Sequence, residues 1–205
     1  MIIHTFRLGD LQTNTYILEK EGFAIIIDPA DDATFITEEL QRRRLTPLAI
    51  YGTHGHFDHM LAVGEMQMNF SIPYYLHTKD AFLIQRVDST AQHFLGYRPV
   101  FLPPNNTQTP PIGDQHIGPF SFRIIHTPGH TPGSLSFYFE DEQALFTGDT
   151  LFFESIGRSD HSYGNKKELS QSISLLLTLP VHTIVYPGHG ELTSISHFID
   201  RSQAG

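Results

Sequence analysis

The segment Thr53-His54-Gly55-His56-Phe57-Asp58-His59 places three histidines and one aspartate within six consecutive positions. Imidazole nitrogen and carboxylate oxygen are the donors that zinc and similar dications take when no thiolate is offered, and this chain has no cysteine. Three further candidate ligands sit far along the chain, each in its own glycine-rich turn: His130 in Pro128-Gly129-His130-Thr131-Pro132-Gly133, Asp149 in Thr147-Gly148-Asp149, and His189 in Pro187-Gly188-His189-Gly190. If all serve one site, the fold must gather four segments spread from residue 54 to residue 189. Five histidines and two aspartates exceed the four or so donors that one ion takes and suffice for two.

Local geometry supports that reading. His54 and His56 are two apart, so in a loop leaving a strand both rings can turn to one centre. Asp58 and His59 follow at the start of the next expected helix and point elsewhere, toward a second centre beside the first. A carboxylate such as Asp149 at a strand end can give one oxygen to each ion, which an imidazole cannot. Glycines beside His130, Asp149 and His189 allow turns that aim the three side chains at a point. Two ions roughly 3.5–4 Å apart polarise a carbonyl or phosphoryl group and lower the pKa of a shared water. The other histidines, His4, His77, His93, His116, His126, His182 and His197, read as surface or satisfied core residues. His161 stays open because it follows Asp149 closely.

At 205 residues the chain is expected to form a single domain, 1–205, with a real core. Its 40% hydrophobic and 17% charged content is that of a globular protein. The lack of cysteine rules out a disulfide, a thiolate nucleophile, an iron–sulfur cluster and cysteine-ligated zinc. No apolar run has membrane-spanning length, and Met1–Arg7 lacks the layout of a signal peptide, so a cytoplasmic location and no membrane partner are expected. The net charge of −9 gives no general attraction to nucleic acid. Arg42-Arg43-Arg44, the densest basic run, is expected to be solvated and to complement the dipole of a helix end.

Strands are expected at Ile2–Leu8, Asn14–Glu19, Phe23–Asp28, Pro47–Tyr51 and Ile72–His77, and later at Phe120–Thr127, Ser134–Glu140, Gln143–Thr147 and His182–Tyr186. Helices are expected at Asp31–Arg44, capped by Asp31 or Asp32, and at Asp58–Phe70, Lys79–Phe94, Lys166–Leu179 and Ser194–Arg201. The prolines between Gly96 and Pro111 predict an ordered loop without regular structure. Each half runs strands then helices, which suits an α/β chain of two packed sheets flanked by helices.

The order His-x-His-x-Asp-His, then a distant His, an Asp and a final His, resembles the metallo-β-lactamase-fold hydrolase superfamily. That resemblance implies a four-layer αββα sandwich. It implies one ion on His54, His56 and His130, a second on Asp58, His59 and His189, and Asp149 as the bridge. Zinc is the foremost candidate, with iron or manganese as alternatives. The runs Gly148-Asp149-Thr150-Leu151-Phe152, Ser155-Ile156-Gly157-Arg158-Ser159-Asp160 and His126–Ser134 resemble the glyoxalase II (hydroxyacylglutathione hydrolase) branch, in its short form without the C-terminal helical domain that binds glutathione. The bridging Asp149 argues against the antibiotic-hydrolysing members.

The implied function is a dinuclear hydrolase of a thioester or related small acyl ester. A water shared by the ions attacks the carbonyl, and Asp58 orients it as the catalytic residue. Arg158, His161 and Tyr163 are candidates for the substrate pocket, although Arg158 and Asp160 can equally form a local pair. The partner is then a small acyl substrate. The alternatives are an iron-dependent persulfide dioxygenase of the same superfamily and, against the acidic charge, an RNA-processing nuclease.

Overall fold

The computed structural model describes residues 1–204, with side chains described through Ile199. Three antiparallel strands open the chain: β1 (Ile2–Leu8), β2 (Thr13–Lys20) and β3 (Phe23–Ile27). Helix α1 (Ala33–Arg43) crosses over to β4 (Thr46–Tyr51), parallel to β3. A 3₁₀ turn at Phe57–His59 and α2 (Val63–Phe70) lead to the short strand β5 (Tyr74–Tyr75), parallel to β4. A second 3₁₀ turn at Thr78–Asp80, α3 (Ala81–Ile84) and α4 (Val87–Leu95) follow, and β6 (Thr107–Gln108) closes the first sheet in the order β1-β2-β3-β4-β5-β6.

The second half adds β7 (Gly113–Ile117), β8 (Phe120–His126), β9 (Leu135–Phe139) and β10 (Ala144–Gly148), each antiparallel to the next of the four. A hairpin, β11 (Leu151–Phe152) and β12 (Ser155–Ile156), precedes α5 (Lys166–Leu176). Next come β13 (Ile184–Pro187), parallel to β10, then β14 (Thr193–Ser194) and α6 (Ile195–Ala204). The second sheet has the order β14-β13-β10-β9-β8-β7.

Alternation along the strands builds the layers, because successive side chains face opposite ways. Ile17, Ile26 and Ile50 pack with Ile36 and Leu40 of α1 and Met66 of α2. Their strand neighbours Leu18, Ile25, Ile27, Ala49 and Tyr51 face the other sheet and meet Phe122, Ile124, Phe137 and Phe146. On the far side, Tyr138, Leu145 and Val185 pack with Leu176 of α5 and Ile195 of α6. Strands covered on both faces carry near-continuous apolar runs, which explains Phe23-Ala24-Ile25-Ile26-Ile27. The result is the expected helix–sheet–sheet–helix sandwich.

Several expected boundaries are corrected. The helix expected over Asp58–Phe70 begins only at Val63. The backbone N–H groups of Leu61 and Ala62 donate to Ala30 and Pro29 in the turn after β3 (3.2 Å each), so they are lost to the helix. Met68, an apolar residue inside that expected helix, is exposed. The helix expected over Lys79–Phe94 is broken at Arg86, whose N–H donates to Leu83 in a tighter turn while its guanidinium lies 4.9 Å from the Phe82 ring. The strand expected at Ile72–His77 shrinks to two residues.

The proline-rich loop is not wholly irregular, since Thr107-Gln108 pairs with Tyr74-Tyr75. Sequence reading missed β7 and the β11–β12 hairpin. In the basic run, Arg42 and Arg43 are not merely solvated: both donate to Glu39, at 2.6 and 3.1 Å. Asp32 is the cap of α1, its Oδ1 accepting from Phe35 N at 2.9 Å.

Candidate metal centre

Strand direction decides where the site lies. β3 and β4 run parallel, as do β10 and β13, and β8 runs with β10 because each is antiparallel to β9. The C-terminal ends of all five strands therefore open on one edge. Those ends deliver Asp28 after β3, Thr53–His59 after β4, His130 after β8, Asp149 after β10 and His189 after β13. The start of the antiparallel strand β2 reaches the same edge. It joins the two sheets there, with Asn14 N donating to Gly188 O at 2.7 Å and Tyr16 Oη to Pro187 O at 2.6 Å.

All seven side chains named from the sequence as ligand candidates converge. Donor atoms of His54, His56, His130 and Asp149 lie within 4.8 Å of one another, as do those of Asp58, His59 and His189. In the first group, His56 Nδ1 is 2.9 Å from His54 Nε2 and 3.0 Å from His130 Nε2. In the second, Asp58 Oδ2 is 3.2 Å from His189 Nε2 and 3.5 Å from His59 Nε2. Asp149 faces both groups: Oδ2 is 3.6 Å from His130 Nε2, and Oδ1 is 3.5 Å from His59 Nε2 and 3.8 Å from His189 Nε2.

The chemistry of this arrangement fits bound cations. His59 Nε2 and Asp149 Oδ1 are buried without a hydrogen-bond partner, a costly state unless an ion takes the lone pairs. Three imidazole nitrogens facing one another cannot satisfy each other either, since a neutral ring has only one donor and one acceptor nitrogen. Gly188 leaves the space: a Cβ there would lie 2.3 Å from Asp149 Oδ1 and 2.7 Å from His59 Cε1. Gly148 is required twice over, by φ +50 and by a Cβ position 2.3 Å from Thr53 Oγ1.

Each imidazole is held from behind through its other nitrogen. Thr53 Oγ1 lies 3.1 Å from His54 Nδ1, Tyr163 Oη 2.8 Å from His56 Nε2, and Asp28 Oδ2 2.9 Å from His59 Nδ1. Backbone oxygens serve the other two: Arg158 O is 2.8 Å from His130 Nδ1, and Leu11 O is 3.1 Å from His189 Nδ1. Such partners fix ring orientation and tautomer at metal centres. Asp28 was missed in the sequence. It is buried, left-handed at φ 49, and also accepts from Thr53 N and Oγ1 at 2.7 and 2.6 Å. Its only sequence signal is an acidic residue ending an apolar strand.

Asp80 was missed as well. Its carboxylate accepts from Gly55 N (2.9 Å), Thr131 Oγ1 (2.6 Å) and Gly133 N (2.7 Å), tying the loop of His54 and His56 to that of His130.

Charge divides the two groups. Burial pushes His54 and His56 well below the usual imidazole range, and the neighbouring rings add to that. Burial also opposes a charge on His59, but Asp58, Asp149 and Asp28 outweigh it and push the ring up to about 10. His189 is likewise raised against burial by Asp58 and Asp149. Burial alone would lift the Asp58 carboxyl, yet His59 and His189 hold it below the usual carboxylate range.

A cavity of about 190 Å³ opens over the two groups. Leu11, Phe57, Thr90 and Phe94 form part of its wall, and Arg158, His161 and Tyr163 are also in the lining. The Arg158 side chain is mostly exposed and forks onto Asp160 at 3.0 and 3.2 Å, so it is the backbone of this residue that reaches the site. Asp58 Oδ2 additionally accepts from Thr13 Oγ1 at 3.0 Å.

Comparison with known proteins agrees with this geometry. Residues 8–189 match the family described as the metallo-beta-lactamase superfamily. The chain is 38% identical to a probable metallo-hydrolase, YqgX, of Bacillus subtilis, over 92% of this chain and 90% of that protein. It is 34% identical to the hydroxyacylglutathione hydrolase GloC of Haemophilus influenzae, over 90% of this chain and 88% of that protein. Among solved structures, BLEG-1, described as a B3 metallo-beta-lactamase, superposes with a TM-score of 0.89 at 41% identity, covering 97% of both chains. TTHA1623, solved in a di-iron-bound form, superposes with a TM-score of 0.88 at 35% identity, covering 96% of both.

Proposed function

The chain belongs to the metallo-beta-lactamase superfamily of metal-dependent hydrolases, and on that premise we propose that it hydrolyses a thioester or a related small acyl ester at two divalent metal ions. The observation that carries the two-ion reading is Asp149, whose two carboxylate oxygens face different clusters. His54, His56 and His130 would hold one ion, Asp58, His59 and His189 the other, with Asp149 common to both. Bound there, the ions supply an activated water and polarisation of the substrate carbonyl.

The chain's own residues do the rest. Asp58 stays ionised at neutral pH, being held below the usual carboxylate range. Its Oδ2 is taken by Thr13 and the second cluster, which leaves Oδ1 to accept a hydrogen bond from the attacking water and orient it. The apolar wall of Leu11, Phe57 and Phe94 receives the acyl or thiol chain and keeps bulk water from the reacting carbonyl.

Leaving-group chemistry favours the thioester. A thiolate departs without a proton, its thiol having a pKa near 8.5, whereas an alkoxide needs an acid. Burial lowers His161 from its usual value, with His130 and Arg158 adding to that, so this ring on the cavity wall is a poor proton donor at neutrality. The likeness to GloC points the same way. Arg158 is the one Lys or Arg among the residues lining the cavity, and its guanidinium is paired with Asp160 at the surface while its backbone reaches the site; glutathione carboxylates would therefore be bound weakly.

The test is a substrate panel with zinc-loaded and iron-loaded protein: S-lactoylglutathione, a short apolar acyl thioester, the matching oxygen ester, a phosphodiester, a cephalosporin and glutathione persulfide. We expect thioester turnover above that of the oxygen ester, with a high KM for S-lactoylglutathione. Turnover of the cephalosporin alone, the reaction that the likeness to BLEG-1 puts in question, would reject the thioester reading. Oxygen uptake with the persulfide and no thioester cleavage would replace it with a dioxygenase.

A further inference from the structure

His56 offers its two ring nitrogens to different neighbours. Nδ1 faces His54 Nε2 and His130 Nε2, while Nε2 lies 2.8 Å from Tyr163 Oη. If Nδ1 gives its lone pair to an ion, the single proton of the neutral ring sits on Nε2. That N–H then donates to the phenolic oxygen, and the tyrosine's own O–H hydrogen is left for the cavity that Tyr163 lines.

We propose that Tyr163 is a positioning residue for the three-histidine centre. It fixes His56 as the Nε2–H tautomer with Nδ1 turned to the ion, rather than serving only as a pocket wall. The proposal rests on the reading of His54, His56, His130 and Asp149 as one ion's ligands.

The surroundings of Tyr163 suit that role. His161 stacks on its ring at 5.3 Å and 16°, and Phe82 meets it edge-on at 5.4 Å, so the phenol is held in place from two sides. Arg158, five residues earlier, does the same service for His130 through its carbonyl oxygen. The segment carrying both is tied back to the His130 turn, with Asn165 N donating to Gly129 O at 2.8 Å just before α5 begins. The second centre takes none of its partners from this segment: His59 leans on Asp28, and His189 on Leu11. One stretch after Asp149 therefore serves one centre and not the other, and a change there separates the two.

Tyr163→Phe removes the hydroxyl and keeps both ring contacts. Chelator-stripped full-length protein, parent and variant, is titrated with zinc against a chromophoric chelator. The zinc-loaded forms are compared in long-range ¹H–¹⁵N imidazole spectra. In the variant, one of the two zinc sites weakens by about 10–100-fold, the other keeps the parent affinity, and the His56 resonances alone shift or broaden. Parent affinities at both sites with unchanged His56 resonances overturn the proposal, and so does equal weakening of both sites. A parent protein that binds fewer than two zinc ions overturns the ligand reading and this proposal with it. A parent that binds two but cleaves no thioester overturns only the proposed function.

Discussion

At the scale of single residues, what separates the two centres is the charge of the groups behind the imidazoles. His54, His56 and His130 lean on a hydroxyl, a phenol and a carbonyl, all neutral. His59 leans on the buried carboxylate of Asp28. A carboxylate behind a ligating histidine raises the basicity of the ring and orients it. Asp28→Asn keeps the shape and removes the charge. We expect zinc affinity at the second centre to fall by about 10–100-fold in the same chelator competition, with a smaller loss at the first centre, because Asp28 also holds the Thr53 hydroxyl that sits behind His54. The two variants, Asp28→Asn and Tyr163→Phe, should then have their larger effects on different sites. The convergent histidines and aspartates were legible in the sequence as candidate ligands because metal chemistry restricts residue type and because glycines mark their turns. Asp28 and Asp80 were not, since an isolated aspartate has no such restriction and only the fold shows what it touches.

At the scale of elements, the site hangs on loops, and Asp80 is the tie between two of them. Three donors converge on its carboxylate, with Gly133 N on one oxygen and Gly55 N and Thr131 Oγ1 on the other. An amide in its place has only one oxygen. Asp80→Asn must turn its NH₂ toward a backbone N–H, leaving that donor buried and unpaired at a cost of about 1–3 kcal/mol. We expect this loss in urea unfolding, together with weaker zinc binding at the first centre, whose two loops the carboxylate joins. Unchanged stability would show that the loops are held by other contacts. The element boundaries that sequence reading misplaced cluster in this same region. Periodicity predicts a helix from Asp58, but tertiary hydrogen bonds from Leu61 and Ala62 to the turn after β3 override it. The central strands β2, β3, β4, β9 and β10 were read well because they are buried on both faces along most of their length, which leaves a plain apolar signal. Two-residue strands such as β6 carry none.

At the scale of the whole molecule, the candidate ligands come from both sheets. His54, His56, Asp58 and His59 follow a strand of the first sheet, and His130, Asp149 and His189 follow strands of the second. Bound ions therefore join the two halves of the sandwich, and metal binding adds to folding stability as RT ln(1 + [L]/Kd), about 4 kcal/mol at a free ion concentration 1,000 times Kd. Protons compete for the same atoms. With its ring pushed up to about 10 by three carboxylates, His59 holds a proton at neutral pH when no ion is bound. The sign follows from linkage. A raised imidazole pKa stabilises the metal-free fold fully below about 6.5, and that contribution is lost as pH rises toward 10. Metal needs the same ring neutral, so its hold strengthens over the same range. We therefore expect zinc uptake at pH 7 to release protons, seen as a dependence of the calorimetric heat on buffer ionisation enthalpy. The gap in melting temperature between zinc-loaded and chelator-stripped protein should widen from pH 6 to pH 9. A gap that stays constant across that range would mean that His59 is already neutral in the metal-free protein, and that its three carboxylates are screened by something other than a proton.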